Sequence, residues 1–294
     1  MVLPDQTMAG YVCTIAGGKG GVGKTTTAIN IGAVLEEHGY DTVIVDADLG
    51  MANLAEMLEA DYDESIHDIL AGNSTVSAAL TDAKGGLTII PGKQSLEAFA
   101  EADPAKLRKV IKTLQNTFDV VLVDTGAGLS HETTVPLGLA DGILLVTTPD
   151  GVAVNDTVKT VDLAERVDGR IIGALITRVH RNTDVPSIAD QFDIPLLGVI
   201  PVDLEATEEE PHVLTSPDSN ASEAYSQLTA QLERVFFEGQ AGDKLDRVFE
   251  KRWFIEESET DSDTEEAETE TGDQEEKTDD EDEESDGVFG GLFG

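Results

Sequence analysis

Gly18-Lys19-Gly20-Gly21-Val22-Gly23-Lys24-Thr25-Thr26 lies between an apolar run and a helical pattern, and its reading decides the fold. Gly18 to Thr25 fits G-x-x-x-x-G-K-[ST], a loop whose glycines let successive backbone N–H groups approach phosphate oxygens. Upstream, Tyr11-Val-Cys-Thr-Ile-Ala16 is a compact apolar run ending at glycines, as a buried strand does. Downstream, Ala28, Ile31, Val34 and Leu35 share one face of a helix predicted from Thr25 to Glu37, with His38-Gly39 as its stop. The start of that helix adds its positive dipole end to the cradle. In such a loop Lys24 holds the β- and γ-phosphates of a nucleotide, and the Thr25 hydroxyl ligates Mg²⁺. Lys19 is surplus to that pattern, which needs one lysine.

With Lys19 in place, Gly-Lys-Gly-Gly-Val-Gly-Lys-Thr resembles the deviant Walker A loop of the MinD/ParA family of SIMIBI-type ATPases. The resemblance implies a P-loop NTPase fold, ATP and Mg²⁺ as cofactors, slow hydrolysis to ADP and phosphate, and an ATP-dependent homodimer. It also implies that Lys19 crosses to the partner subunit's nucleotide as a trans-acting charge, in the way an arginine finger acts elsewhere. The nucleotide-binding loop then comprises Gly18, Lys19, Gly20, Gly21, Val22, Gly23, Lys24, Thr25 and Thr26.

Two further segments carry carboxylates. Thr42-Val-Ile-Val-Asp46-Ala-Asp48 reads as a buried strand ending in two carboxylates two residues apart, which face the same way if the strand continues. Its continuation, Leu49-Gly-Met-Ala-Asn53-Leu54, resembles the family's switch I. On that resemblance Asp48 positions the attacking water and Asp46 supports the Mg²⁺ shell. Asp119-Val-Val-Leu-Val-Asp124-Thr-Gly-Ala-Gly128 is a second apolar strand with a terminal aspartate, which takes the Walker B role, followed by switch II with Gly128. Most MinD proteins read Asp-x-Pro-Ala-Gly at that turn. Gly126 in the proline's place is closer to FlhG, the MinD relative that governs flagellar placement and number. The implied catalytic set is Lys19, Lys24 and Asp48, and the implied metal set is Thr25, Asp46 and Asp124. By the same resemblance Thr177, Arg178, Pro201 and Asp203 lie in the adenine region.

The alternation continues with apolar strands at 87–90, 142–147, 170–177 and 196–201. Between them the chain predicts helices: one opened by Asp103 as N-cap with Pro104 in its first turn, one over 155–167, and one over 222–237. Strands separated by helical crossovers imply an α/β fold, a doubly wound, mostly parallel sheet with helices on both faces and the ligand at the carboxyl ends of the strands. The domain reading is an N-terminal extension (1–9), the ATPase domain (10–240), an amphipathic segment (241–255), an acidic tail expected to be disordered (256–286), and an apolar Gly/Phe tip (287–294).

The 294 residues carry 59 acidic and 19 basic side chains, a net charge of −40. Residues 256–286 hold 19 Asp/Glu against Lys277, so −22 remains on the rest. Such a tail has too little apolar surface to offset its ordering entropy. The acidity of the core resembles adaptation to molar intracellular salt, as in haloarchaea, and it disfavours nucleic acid as a partner. Cys13 is the single cysteine. That excludes the iron–sulfur carriers and the nitrogenase iron protein of this family, which need paired cysteines. The five histidines show no ligand spacing. With no secretory signal and no run near the ~18 apolar residues of a membrane span, the expected location is cytoplasmic.

The C-terminus leaves two readings open at two places. Leu245, Val248, Phe249 and Trp253 share a helical face beside Lys244, Arg247, Lys251 and Arg252, suiting either packing on the core or a membrane surface. The final Gly287-Val-Phe-Gly-Gly-Leu-Phe-Gly294 is either a membrane or partner anchor or a disordered end. An anchor would place the protein peripherally at the inner face of the cell membrane or at the cell poles. The function expected from the resemblance is a MinD-like ATPase switch that dimerises with ATP and positions a division, motility or chemosensory assembly, together with an unidentified activating or cargo protein. The alternatives are a ParA-like DNA-partitioning ATPase and an ATP-dependent biosynthetic ligase of the same fold.

Overall fold

The computed structural model describes residues 9–128, 131–203 and 209–239. Strands β1 (Tyr11–Ala16), β2 (Thr42–Ala47), β3 (Thr81–Asp82), β4 (Thr88–Ile90), β5 (Val120–Thr125), β6 (Gly142–Thr147), β7 (Ile171–Val179) and β8 (Leu196–Pro201) form one sheet. Their order is β3-β4-β2-β5-β1-β6-β7-β8. The edge pair β3–β4 is antiparallel and the other pairings are parallel. The chain winds from β1 toward one edge and returns through β6 to β8 toward the other. The doubly wound, mostly parallel sheet read from the sequence is thus found, with its topological switch point beside β1, where such sheets bind ligands.

The apolar runs that announced the strands are continuous because both faces are covered. Along β5, Val120 and Leu122 join the core on one face while Val121 and Val123 join the core on the other. On β2, Ile44 points one way and Val43 and Val45 the other, the two-residue alternation of a strand.

The helices of nine residues or more among the described residues are α1 (Lys24–Glu37), α2 (Leu107–Gln115), α3 (Gly151–Arg166) and α4 (Asn220–Glu238). Helix α1 is buried from Thr27 through Leu35 on every side, not on the single face that Ala28, Ile31, Val34 and Leu35 suggested. The reason is α4, whose Tyr225, Leu228 and Leu232 share one core cluster with Ile29, Ile31 and Leu35, so α1 lies between the sheet and a second helix. Asp103 does cap as expected, its Oδ1 accepting the Ala105 N–H at 3.1 Å, but it opens a 3₁₀ turn at Pro104–Lys106 that leads into α2. Strand β7 runs two residues past its expected end, which carries Arg178 into the left-handed region at φ 55°.

No described helix is long and apolar enough to cross a membrane. The segment 241–255, the acidic tail 256–286, the tip 287–294 and most of the extension 1–9 lie outside the described residues.

At Gly32 of α1 a β-carbon would stand 2.9 Å from Ile44 Cδ1 and 3.2 Å from Leu87 Cδ2. Gly32→Val is therefore expected to lower unfolding stability by roughly 1–3 kcal/mol through overpacking. Urea denaturation should show a lower midpoint with an unchanged slope.

Candidate functional site

The phosphate cradle is the turn from β1 into α1. Gly21 and Gly23 adopt φ 75° and 90°, the left-handed region where side chains are strained, and Gly23 is the N-cap of α1. Gly18 is needed for a different reason, since a β-carbon there would lie 2.4 Å from the Asp156 backbone of α3. The Val22 side chain is buried in the core. The Val22 carbonyl accepts from the Thr177 hydroxyl at 2.7 Å, a donor shared with the Thr147 carbonyl at 3.1 Å. The loop is thus braced from the sheet beneath it.

Above the cradle opens a cleft of about 560 Å³. One wall is Gly20, Gly21, Gly23, Lys24, Thr25 and Thr26; the other is Asp48, Leu49, Asn53, Met57, Gly126 and Arg178. The two lysines of the loop separate here. Lys24 is 7% exposed, and burial lowers its pKa against the opposing pull of Asp124 and Asp48. Lys19 is on the surface, its Nζ 2.9 Å from Asp150 Oδ1, with the two side chains 43% and 51% exposed. Asp150 also caps α3 by accepting the N–H groups of Val152 and Ala153. Its carboxyl is held below the usual range, chiefly by Lys19.

Asp46 and Asp124 stand in register on the adjacent strands β2 and β5, and both are buried. Asp46 is pushed up to about 7 by burial, although it accepts three backbone N–H groups, from Asp48 at 3.2 Å and from Asn53 and Leu54 at 3.1 Å each. Asp124 is pushed up to about 8 by burial and by the nearby Asp46 charge. Neither Asp124 oxygen has a hydrogen-bond partner among the described residues. The Thr25 hydroxyl next to it donates to Asn53 Oδ1 at 3.2 Å. An orphaned carboxylate beneath a phosphate loop, with a threonine hydroxyl beside it, is a hard-oxygen set that fits a hydrated Mg²⁺.

One expectation changes here. Asp48 does not continue the strand in line with Asp46. Strand β2 ends at Ala47 because the Asp46 carboxylate captures the Asp48 N–H and turns the chain. Asp48 Oδ1 then accepts from the Met51 N–H at 2.9 Å, in space that a β-carbon on Gly126 would crowd at 2.9 Å. Of the residues that the resemblance places in the adenine region, Arg178 lines the cleft. Thr177 is 4% exposed with its hydroxyl committed to the loop, Pro201 is buried at the end of β8, and Asp203 Oδ2 accepts the Ala221 N–H of α4 at 3.2 Å.

Sequence reasoning gave no role to Asp150, Asn53 or Glu210. An aspartate before Gly151-Val152 at a helix start is a capping signal that could have marked Asp150. Glu210 offers no local signal. It is buried, accepts from Asn30 Nδ2 of α1 at 2.8 Å, and so anchors the chain after β8 beside the cradle.

The buried Asp124 pair has a consequence for the nucleotide-free protein. Its folded form holds a proton more tightly than the unfolded chain, so stability is present near pH 4 and declines as pH rises toward about 8. Asp124→Asn is expected to flatten that decline, stabilising the nucleotide-free protein at pH 8 by on the order of 1–3 kcal/mol. Thermal melts of both proteins across that range check it.

Residues 13–212 match the model of the CobQ/CobB/MinD/ParA nucleotide binding domain. The chain is 31% identical over 253 residues to an uncharacterised ATP-binding protein of Methanocaldococcus jannaschii, covering 83% of this chain and 96% of that one. It is 29% identical over 237 residues to the septum site-determining protein MinD of Synechocystis, covering 76% and 89%. Among solved structures, MinD of Pyrococcus horikoshii complexed with Mg-ADP superposes with a TM-score of 0.72 at 31% identity, covering 78% of this chain and 98% of that one. With the family's domain spanning the cradle, both aspartate-ended strands and the Glu210 anchor, the chain belongs to the CobQ/CobB/MinD/ParA nucleotide-binding family.

Proposed function

We propose that this protein is an ATP-driven dimerisation switch of the MinD type, a slow Mg²⁺-dependent ATPase that positions a cellular assembly. The observation that carries this reading is the separation of the two loop lysines. Lys24 is sealed in the cradle of its own chain, whereas Lys19 stands at the surface on one exposed ion pair. A lysine on the phosphate loop that is turned outward is suited to a second subunit's nucleotide.

The residues divide the work as follows. Backbone N–H groups from Gly20 to Thr25 and the Lys24 ammonium neutralise the β- and γ-phosphates of ATP. Thr25 and the water shell on Asp124 would hold Mg²⁺, which supplies further positive charge at the phosphate oxygens when bound. Asp48, freed from the strand, orients the attacking water in line. Lys19 leaves Asp150 to reach the partner's nucleotide, and an exposed pair of this kind resists that exchange weakly.

A MinD type is favoured over a biosynthetic ligase by the relatives of that name. The net charge of −40 favours it over a partitioning ATPase that rides on DNA. The proposed location is cytoplasmic, with peripheral membrane contact through the C-terminal segments and an activating or cargo protein as a further partner.

Asp48→Ala is expected to retain ATP binding, lose turnover by about 10²–10⁴-fold, and sediment as a dimer with Mg-ATP but as a monomer with Mg-ADP. Adding Lys19→Ala should return the ATP form to monomer. An Asp48→Ala protein of unchanged mass in both nucleotides would refute the switch.

A further inference from the structure

His67 is 1% exposed, lies outside the phosphate cleft, and has both ring nitrogens engaged. The Lys93 backbone N–H reaches Nδ1 at 3.1 Å, and Nε2 lies 2.9 Å from the Leu49 carbonyl oxygen. A backbone N–H can only donate and a carbonyl can only accept. Nδ1 is therefore the acceptor, Nε2 carries the proton, and the neutral ring ties two loops together.

The two loops are unequal. On the Lys93 side everything is fixed. His67 belongs to the helix Ile66–Ala71, which opens with a reciprocal capping box between Ser65 and Asp68. Lys93 Nζ is 2.6 Å from Asp68 Oδ2, and the Ile66 N–H donates to the Pro91 carbonyl at 2.8 Å. On the other side is Leu49, the last buried residue before the chain rises into solvent at Gly50 and at Met51, which is 78% exposed. The far end of that excursion is held again, where Asn53 and Leu54 donate to Asp46. Leu49 immediately follows Asp48, so its carbonyl is the fixed point from which the Asp48 backbone is aimed.

We propose that His67 is a positioning residue for hydrolysis, holding the Leu49 carbonyl so that the adjoining Asp48 stays aimed into the cleft. This rests on the ATPase reading above. His67 touches neither nucleotide nor metal, and the phosphate cradle does not depend on it. Its loss therefore separates turnover from binding. A donor and an acceptor held on one side chain are what the tie requires, so glutamine, whose amide carries both, retains part of it, whereas phenylalanine fills the space and offers neither.

The test compares His67→Phe and His67→Gln with the unsubstituted full chain in three readouts. These are ATP turnover, affinity for a non-hydrolysable ATP analogue, and amide hydrogen exchange of residues 46–54 without nucleotide. In His67→Phe we expect turnover to fall by about 10- to 100-fold with analogue affinity within about twofold. Exchange should quicken over 46–54 and not in β1 or α1, the mark of a local opening. His67→Gln should recover much of both losses. Unchanged turnover and exchange in a folded His67→Phe protein would overturn the proposal. So would a parallel loss of turnover and affinity, or failure of glutamine to restore anything, because each describes a merely structural histidine. If the unsubstituted chain binds ATP without hydrolysing it, the ATPase reading fails instead, and the exchange comparison still decides whether His67 tethers the segment.

Discussion

Two carboxylates side by side in the middle of a covered sheet set the terms for everything around them. Asp46 and Asp124 are neighbours on adjacent strands, both sealed from water, and the cation nearest to them, Lys24, is itself desolvated. Like charges in that setting cannot both ionise at low expense. The chain resolves half of the problem by folding backbone donors onto Asp46, and in doing so it ends β2, turns out Asp48 and shapes the segment up to Leu54. The other half, Asp124, receives no backbone donor of that kind and has only the Thr25 hydroxyl and the Lys24 charge near it. A buried carboxylate with so few donors calls for a partner, and a bound ion is one that fits. Here a divalent cation would supply the positive charge that a buried carboxylate calls for.

The same reasoning explains what could be read from the sequence. The cradle was legible because a phosphate loop is local: glycine conformations, Lys24 and Thr25 lie within nine residues, and strand and helix flank them directly. The strands were legible because burial on both faces leaves an uninterrupted apolar run. What failed was whatever depended on distant partners. The burial of α1 on all sides needed α4, about two hundred residues away. The bond from the Thr177 hydroxyl to the Val22 carbonyl, 155 positions earlier in the chain, has no local signal. The common facing of Asp46 and Asp48 assumed that the strand went on, and strand length was decided by where Asp46 found its donors.

His67 and Asp150 show a second kind of illegibility. Both have ordinary local roles, one inside a short helix and one at a helix start. What marks them out is the long-range bonds they make, His67 to Leu49 and Lys93 and Asp150 to Lys19. Spacing rules describe what a residue does for its own element. They are silent on what it does for another element brought alongside by the sheet order.

The electrostatics of this site fall into two classes that respond differently to salt. Mobile ions reach exposed pairs but not groups enclosed by protein, and the Debye length shrinks to about 3 Å at 1 M. Lys19 and Asp150 are both near half exposed, so rising ionic strength weakens the bond that holds Lys19 to its own chain. Asp46, Asp124 and Lys24 are enclosed, and their mutual interaction persists under the same conditions. Salt therefore acts on the lysine that would reach a second subunit and leaves the centre that holds phosphate and metal unchanged. In a chain of net charge −40, rising ionic strength also screens the repulsion among its acidic surface groups.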